Sequence, residues 1–344
     1  MLTILLTTFF LNLFSFFNLL GINRTLVVYQ VVYYLIALGV FFVARRIGTA
    51  FFRSNTKFFY WFFVFLLVLT FIIGIEAHGS KRWIDLYVFN FQPSEFFKIF
   101  FILFLADFFV RHKKDSDEPL VFLKSLGYLF LPLLIIFKQP DFGNAMAYVV
   151  IYLIMLFFSP IPKKYLFTLI IIGALVLPVG WFTLKDYQRA RITSFLNPEL
   201  DPQGTNYNMT QAVITVGSGQ FFGRGLGLGT QSKLFFLPEN HTDFAFSSLV
   251  EQFGFIGGFT VFMLYFFLIL YFIRKLSKTF HANDDEKQLS FYYILGFFSY
   301  CIFQTFVNIG MNMGLLPITG VALPFISYGG SSLVSFMFGL SLLP

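Results

Sequence analysis

Few side chains in this sequence can move a proton or hold charge: 17 Asp and Glu, 24 Lys and Arg, 4 His and one Cys in 344 residues. Their spacing singles out five places. The first is Glu239-Asn240-His241-Thr242-Asp243, just ahead of an apolar run. A carboxylate there caps the helix that follows. Alternatively, with His241 and Glu239 beside it and basic residues in sequence reach, Asp243 acts as a general base next to an anionic leaving group. The second place is Lys81-Arg82-Trp83-Ile84-Asp85, followed by Gln92-Pro93-Ser94-Glu95-Phe96-Phe97-Lys98. Pro93 suits the first turn of a helix, which sets Glu95 and Lys98 three apart on one face. They form a structural ion pair or line a polar cavity, and the two readings are compatible. Gln92 belongs with them. Arg82 suits a phosphate or a lipid headgroup, and Trp83 suits an interfacial anchor.

The third place is Lys138-Gln139-Pro140-Asp141-Phe142-Gly143-Asn144, where Asp141 caps the next helix or joins an outer polar site. The fourth sets Arg189, Arg191, Arg224 and Lys233 around the string Gly223-Arg224-Gly225-Leu226-Gly227-Leu228-Gly229. That string looks superficially like a dinucleotide fingerprint but lacks the strand and the βαβ frame. Its glycines permit close backbone approach, and N–H groups so exposed can face an anion. The cations bind that anion, or cover a solvated or lipid-facing loop surface. The fifth is Pro324-Phe325-Ile326-Ser327-Tyr328-Gly329-Gly330-Ser331-Ser332. Its small and hydroxyl residues allow close helix packing, or turn Ser327 toward the same outer cavity.

The elements that must hold these groups follow from composition. Charged residues make up 12% of the chain and hydrophobic ones 57%, against about 25% charged in a soluble domain. So apolar a chain exceeds what one soluble core can enclose. It fits an all-α polytopic membrane protein, a single membrane-embedded domain over residues 1–344. Apolar runs at 2–20, 26–44, 57–76, 94–110, 121–137, 143–158, 163–182, 247–272, 290–311 and 322–342 predict ten transmembrane helices. No Lys or Arg precedes the first run and no small-x-small cleavage site follows it before Asn23-Arg24, so it is expected to be a retained helix rather than a signal peptide. Fourteen Lys and Arg, from Arg45 to Lys287, fall in the even loops, whereas only Arg24, Lys81, Arg82 and Lys138 fall in the short odd ones. That bias puts both termini in the cytoplasm and residues 183–246 outside, as one long folded loop. The net charge of +7 is scattered rather than clustered, so it speaks for topology and not for nucleic acid. With Cys301 alone, no disulfide framework is possible, and no metal-ligand cluster stands out. The 55 Phe are expected at lipid-facing positions.

Taken in order, these segments resemble the SEDS family (shape, elongation, division and sporulation; RodA/FtsW-like). The matching strings are Lys81-Arg82-Trp83-Ile84, Phe91-Gln92-Pro93-Ser94-Glu95-Phe96-Phe97-Lys98, Lys138-Gln139-Pro140-Asp141-Phe142-Gly143 and Tyr187-Gln188-Arg189. Further on come Asn197-Pro198, Leu237-Pro238-Glu239 with His241-Thr242-Asp243-Phe244, Glu251-Gln252-Phe253-Gly254 and Leu323-Pro324 through Ser332. The resemblance runs from about residue 80 to the end. It departs at Gln220, where glycine is expected, and at Asn144, where threonine is common.

The resemblance implies a glycosyltransferase of the bacterial cytoplasmic membrane that polymerises lipid II into a nascent glycan strand. It also implies a class B penicillin-binding protein as transpeptidase partner, with membrane lipid around both. The family's essential aspartate falls on Asp243, and its sensitive Trp and Glu/Lys pair fall on Trp83, Glu95 and Lys98. Asp243 is then the catalytic base. Arg189 and Arg191, with Lys233, are candidates for the departing diphosphate, with Mg²⁺ or Mn²⁺ as a possible aid. A lipid II flippase built on Glu95 and Lys98 is the alternative.

Overall fold

The computed structural model describes residues 2–77, 80–85, 90–115, 117–183, 189, 193, 195, 206–280 and 284–344. Every apolar run falls on a helix along most of its length, except the last, which is helical only in its second part. The chain begins with α1 (Leu2–Ile22), α2 (Arg24–Ile47), the short α3 (Thr49–Ser54) and α4 (Thr56–Ile73). Then come α5 (Pro93–Arg111), α6 (Glu118–Lys138), α7 (Phe142–Phe158) and α8 (Lys163–Thr183). The loop helices are α9 (Tyr207–Ser218) and α10 (Thr230–Lys233), and α11 (Ala245–Thr279), α12 (Asp285–Asn312) and α13 (Gly330–Ser341) complete the chain. Among the described residues, six helices are long and apolar enough to cross a bilayer: α1, α2, α4, α6, α11 and α12. Helices α7 and α13 are apolar but shorter. The protein is an all-α, multi-pass membrane protein.

Two local features depart from a purely helical reading. Between α4 and α5 a small antiparallel sheet forms from β1 (Ile75–Ala77), β2 (Ser80–Asp85) and β3 (Asn90–Phe91), in the order β1-β2-β3. The Lys81–Asp85 string is β2. The last apolar run is helical only from Gly330, because residues before it cannot propagate a helix. Pro324 has no N–H to donate, and Phe325 has a left-handed φ of 66°.

The chain divides into two compact units. The first comprises Met1–Val31, Phe167–Leu268 and Gln304–Tyr328; the second comprises Val32–Leu166, Ile269–Phe303 and Gly329–Pro344. In the second unit, α5 is buried along almost its whole length, from Pro93 to Val110. Aromatic rings pack it from several sides: Tyr60 on Phe104 at 4.4 Å, Phe63 on Phe100 at 4.7 Å and Phe97 on Tyr148 at 5.9 Å between centroids. Phenylalanine therefore serves both surface and core. Phe65 and Phe262 are exposed as expected, whereas Phe97, Phe101 and Phe109 are wholly buried.

In the first unit, α1 carries a buried polar stripe of Thr8, Asn12, Ser15 and Asn18, spaced four, three and three residues apart on one helical face. Ser15 donates to the Ile326 carbonyl at 2.6 Å, and Asn18 donates to Ser248 Oγ at 3.0 Å. Helix α11 is interrupted at Gly254, whose φ of 66° and ψ of −165° are not helical. The loop fills the interruption. Arg224 and Gly225 N–H donate to the Glu251 and Gln252 carbonyls (2.8 and 3.1 Å), and Phe255 and Ile256 N–H donate to the Gln220 and Phe221 carbonyls (2.8 and 3.2 Å). Backbone groups released by the break are thus satisfied by the glycine-rich strand. Contact this close requires glycine: a Cβ at Gly223 would lie 2.2 Å from the Gln252 oxygen.

Candidate functional site

The chemistry-bearing residues fall into two groups, one in each unit. In the second unit, Pro93 starts α5 at its first position, so Glu95 lies in the first turn and Lys98 one turn on. Lys98 is fully buried. Its ammonium donates to Glu95 Oε1 at 2.8 Å and to Asn144 Oδ1 at 2.6 Å, and stands 4.5 Å from the centre of the Tyr300 ring. The Tyr300 hydroxyl donates to Glu95 Oε2 at 2.9 Å. A buried ion pair is tolerated only when its remaining lone pairs and protons are hydrogen-bonded, and here they are.

Asn144 carries the network outward. Its Nδ2 donates to Asp141 Oδ2 at 2.8 Å, and its backbone N–H donates to Asp141 Oδ1 at 3.2 Å. Asp141 therefore caps α7 and also joins the polar cluster. It further accepts from Gln92 Nε2 at 3.0 Å and pairs with Arg82 Nη1 at 3.4 Å. Arg82 and Asp141, Lys98 and Glu95 make two cations and two anions. Arg82 keeps some exposure, and its Nε is buried without a protein partner. Trp83 lies half-buried on β2, opposite Ile75. Gln92 N–H donates to Ser331 Oγ at 2.9 Å, which ties α13 to the start of α5.

In the first unit, residues 240–244 form a turn ahead of α11, with Asp243 half-buried. Thr242 and Phe244 N–H donate to the Glu239 carbonyl at 3.2 and 3.1 Å, and the Thr242 hydroxyl donates to Glu239 Oε2 at 2.7 Å. Glu239 itself has a φ of 53°. His241 Nδ1 lies 3.1 Å from Asn240 Oδ1. Burial lowers the His241 pKa from 6.5, partly opposed by Glu239, so the ring is neutral at pH 7. The Asp243 main-chain carbonyl accepts from Asn308 Nδ2 at 2.9 Å and Asn312 Nδ2 at 3.0 Å. Asn312 Oδ1 takes the Ser247 N–H of the first helical turn at 3.0 Å. The Ser327 hydroxyl donates to the Thr242 carbonyl at 2.6 Å and accepts from Leu323 N–H at 2.8 Å, so its partners are internal ones. Gly320 lies beside the carboxylate; a Cβ there would stand 3.6 Å from Asp243 Oδ2.

The candidate cations differ. Arg189 donates from Nε and Nη2 to the Trp181 and Phe182 carbonyls, at 3.0 and 2.7 Å, which anchors it at the end of α8. Lys233, the last residue of α10, is exposed. Arg191 lies outside the described residues. Among the described residues no group of three or more His, Cys, Asp or Glu could hold a metal ion.

Four participants were not picked out as functional candidates from the sequence. Asn308 and Asn312 stand one turn apart in an apolar span, which is itself a signal. Tyr300 left no such mark among 17 tyrosines. Glu251 is fully buried and accepts from Gln231 N–H, Ser232 N–H and Ser232 Oγ at 2.9, 3.0 and 2.5 Å, satisfying the start of α10.

Comparison with known proteins places these groups in a family. The model of the cell cycle proteins FtsW, RodA and SpoVE matches residues 1–344. A probable peptidoglycan glycosyltransferase FtsW from Aeromonas salmonicida is 36% identical over 281 residues, covering 81% of this chain and 70% of that protein. Peptidoglycan glycosyltransferase MrdB of Escherichia coli K12 is 38% identical over 287 residues, covering 81% and 74%. A chain of a peptidoglycan synthase complex, solved in a study of how polymerization and crosslinking are coordinated, aligns with a TM-score of 0.78 at 26% identity, over 99% of this chain and 95% of that one. The crystal structure of Thermus thermophilus rod shape determining protein RodA shares the fold, with a TM-score of 0.68 at 23% identity over 99% and 94%. A match along the entire chain, joined to relatives well above 30% identity, means that this protein belongs to the FtsW/RodA/SpoVE family.

Proposed function

We propose that this peptidoglycan glycosyltransferase polymerises lipid II at the outer face of the bacterial cytoplasmic membrane, with Asp243 as general base. The acceptor sugar's 4-hydroxyl attacks the anomeric carbon of the growing strand. Undecaprenyl diphosphate leaves from the opposite face, and the configuration inverts from α to β. An alcohol of high pKa must lose its proton as the new bond forms, and one positioned carboxylate accepts it. The observation that carries the assignment is the setting of Asp243: a half-buried carboxylate on a turn whose main chain is fixed by donors from α12 and the 323–328 segment.

The departing diphosphate needs positive charge. Arg189 is the first candidate, because its guanidinium is already anchored to α8. Arg191 and Lys233 complete the set. Arg82 and Trp83 contact phosphate or headgroups in their own unit. Mg²⁺ or Mn²⁺, where the reaction uses it, is assigned to the substrate's diphosphate. Ten spans, cytoplasmic termini, an extracytoplasmic 183–246 loop and a class B penicillin-binding protein as transpeptidase partner belong to this reading.

The test is polymerisation of lipid II by the purified protein with its transpeptidase, comparing wild type with Asp243→Ala, with and without chelator. Glycan from wild type and none from the folded variant is the expected result. Continued extension by Asp243→Ala sinks the base assignment. Scrambling of lipid II in liposomes without polymer favours a flippase instead.

A further inference from the structure

Three consecutive main-chain carbonyls, those of His241, Thr242 and Asp243, accept hydrogen bonds from one later stretch of chain. Tyr328 N–H reaches His241 O at 2.8 Å, the Ser327 hydroxyl reaches Thr242 O at 2.6 Å, and Asn308 and Asn312 both reach Asp243 O, at 2.9 and 3.0 Å. Asn308, Asn312 and Ser327 are buried. Strained backbone flanks the arrangement on both sides, with φ of 53° at Glu239 and 66° at Phe325. Non-glycine residues hold such angles only where the surroundings over-determine them.

Capping accounts for part of this. Asn312 also serves Ser247, and Asn308 also donates to the Val321 carbonyl at 2.7 Å. Capping does not require two amides on the one carbonyl that belongs to the proposed base. Two donors on Asp243 O, with the two preceding carbonyls held, fix the peptide planes on either side of residue 243. They thereby fix the direction of its Cα–Cβ bond. General-base catalysis depends on that direction, since a misplacement of about 1 Å costs about 100-fold in rate.

We infer that Asn308, Asn312 and Ser327 are positioning residues, which hold the main chain of Asp243 so that its carboxylate meets the incoming sugar hydroxyl. The inference rests on Asp243 being the base. Asn308→Leu removes one of the two amides from Asp243 O while Asn312 keeps the helix cap, and Ser327→Ala removes the bond to Thr242 O. Both variants, with Ser327→Thr, are purified with the transpeptidase partner. Each is assayed on lipid II for kcat and KM and normalised to folded protein by thermal melting.

The expected result is a tenfold or greater loss of kcat in Asn308→Leu and Ser327→Ala, with KM within twofold of wild type. Ser327→Thr should recover most of the loss. Wild-type kcat per folded molecule in both variants overturns the proposal, and so does a loss that only tracks the loss of folded protein. Asp243→Asn, run alongside, separates the two claims. An active Asp243→Asn overturns the base assignment whatever the other variants do. An inactive Asp243→Asn with normal Asn308→Leu and Ser327→Ala overturns the positioning role alone.

Discussion

The two polar groups of this protein are held in different ways. Around Lys98 the side chains satisfy one another: the ammonium meets Glu95, Asn144 and the Tyr300 ring, and Glu95 meets both Lys98 and Tyr300. Around Asp243 the main chain is held at three successive carbonyls, by donors from α12 and the 323–328 segment. A closed side-chain network converts charge into structure, because every charge in it is needed by another. Immobilised main chain fixes the direction of the side chain it carries. The first arrangement should govern stability and the second turnover.

That contrast can be broken in order of expected effect. Asp243→Asn should lower the rate of lipid II polymerisation by roughly 10²- to 10⁴-fold, the usual worth of a general base, with an unchanged melting temperature in detergent. A large drop in melting temperature would make Asp243 structural and erase the difference. Lys98→Met leaves Glu95 buried without its cation and should cost about 3–5 kcal/mol of stability. The double variant Lys98→Met/Glu95→Gln should recover much of that in the same melting assay, and a double no better than the single would refute a paired network. Asn144→Leu removes the bridge between Lys98 and Asp141 and should cost about 1–3 kcal/mol, less than Lys98→Met.

Gln220 holds a left-handed φ of 49°, where the family resemblance leads one to expect glycine. Gln220→Gly should therefore stabilise the protein by about 1 kcal/mol; a lower melting temperature would show that the Gln side chain itself matters. The smallest effect concerns His241. Its pKa is depressed by burial from 6.5, so as pH falls below 6.5 the unfolded chain takes up a proton before the folded one does. Stability should fall through that acid window and stay flat above it. His241→Gln should flatten the slope in melting curves recorded across it.

Much of the fold was legible because membrane helices are written in local composition. Each apolar run but the last is helical along most of its length, since a spanning backbone must satisfy its own hydrogen bonds. Glu95 and Lys98 were readable as a pair because Pro93 fixes the helix start and three residues is a helical spacing. Asp141 as a cap followed from the polar turn before α7. The break at Gly254 was not legible, because a lone glycine inside an apolar span does not disclose that residues 220–225 will fill it. The strand character of Lys81–Asp85 was equally hidden: short strands depend on partners supplied by the rest of the loop.

Sequence by itself determined which residues could carry charge, that apolar helices enclose them and which carboxylate stands at the start of α11. These follow from side-chain pKa, hydropathy and periodicity, properties of short stretches of chain. Only the tertiary structure decided that Asn144 would join Asp141 to Lys98, that Tyr300 would complete Glu95, and that Asn308, Asn312 and Ser327 would meet the turn at 241–243. Apart from the local Asn144–Asp141 bonds, those contacts link residues 46 to 205 positions apart, and a hydrogen bond depends on direction and on tenths of an ångström. Local composition specifies neither.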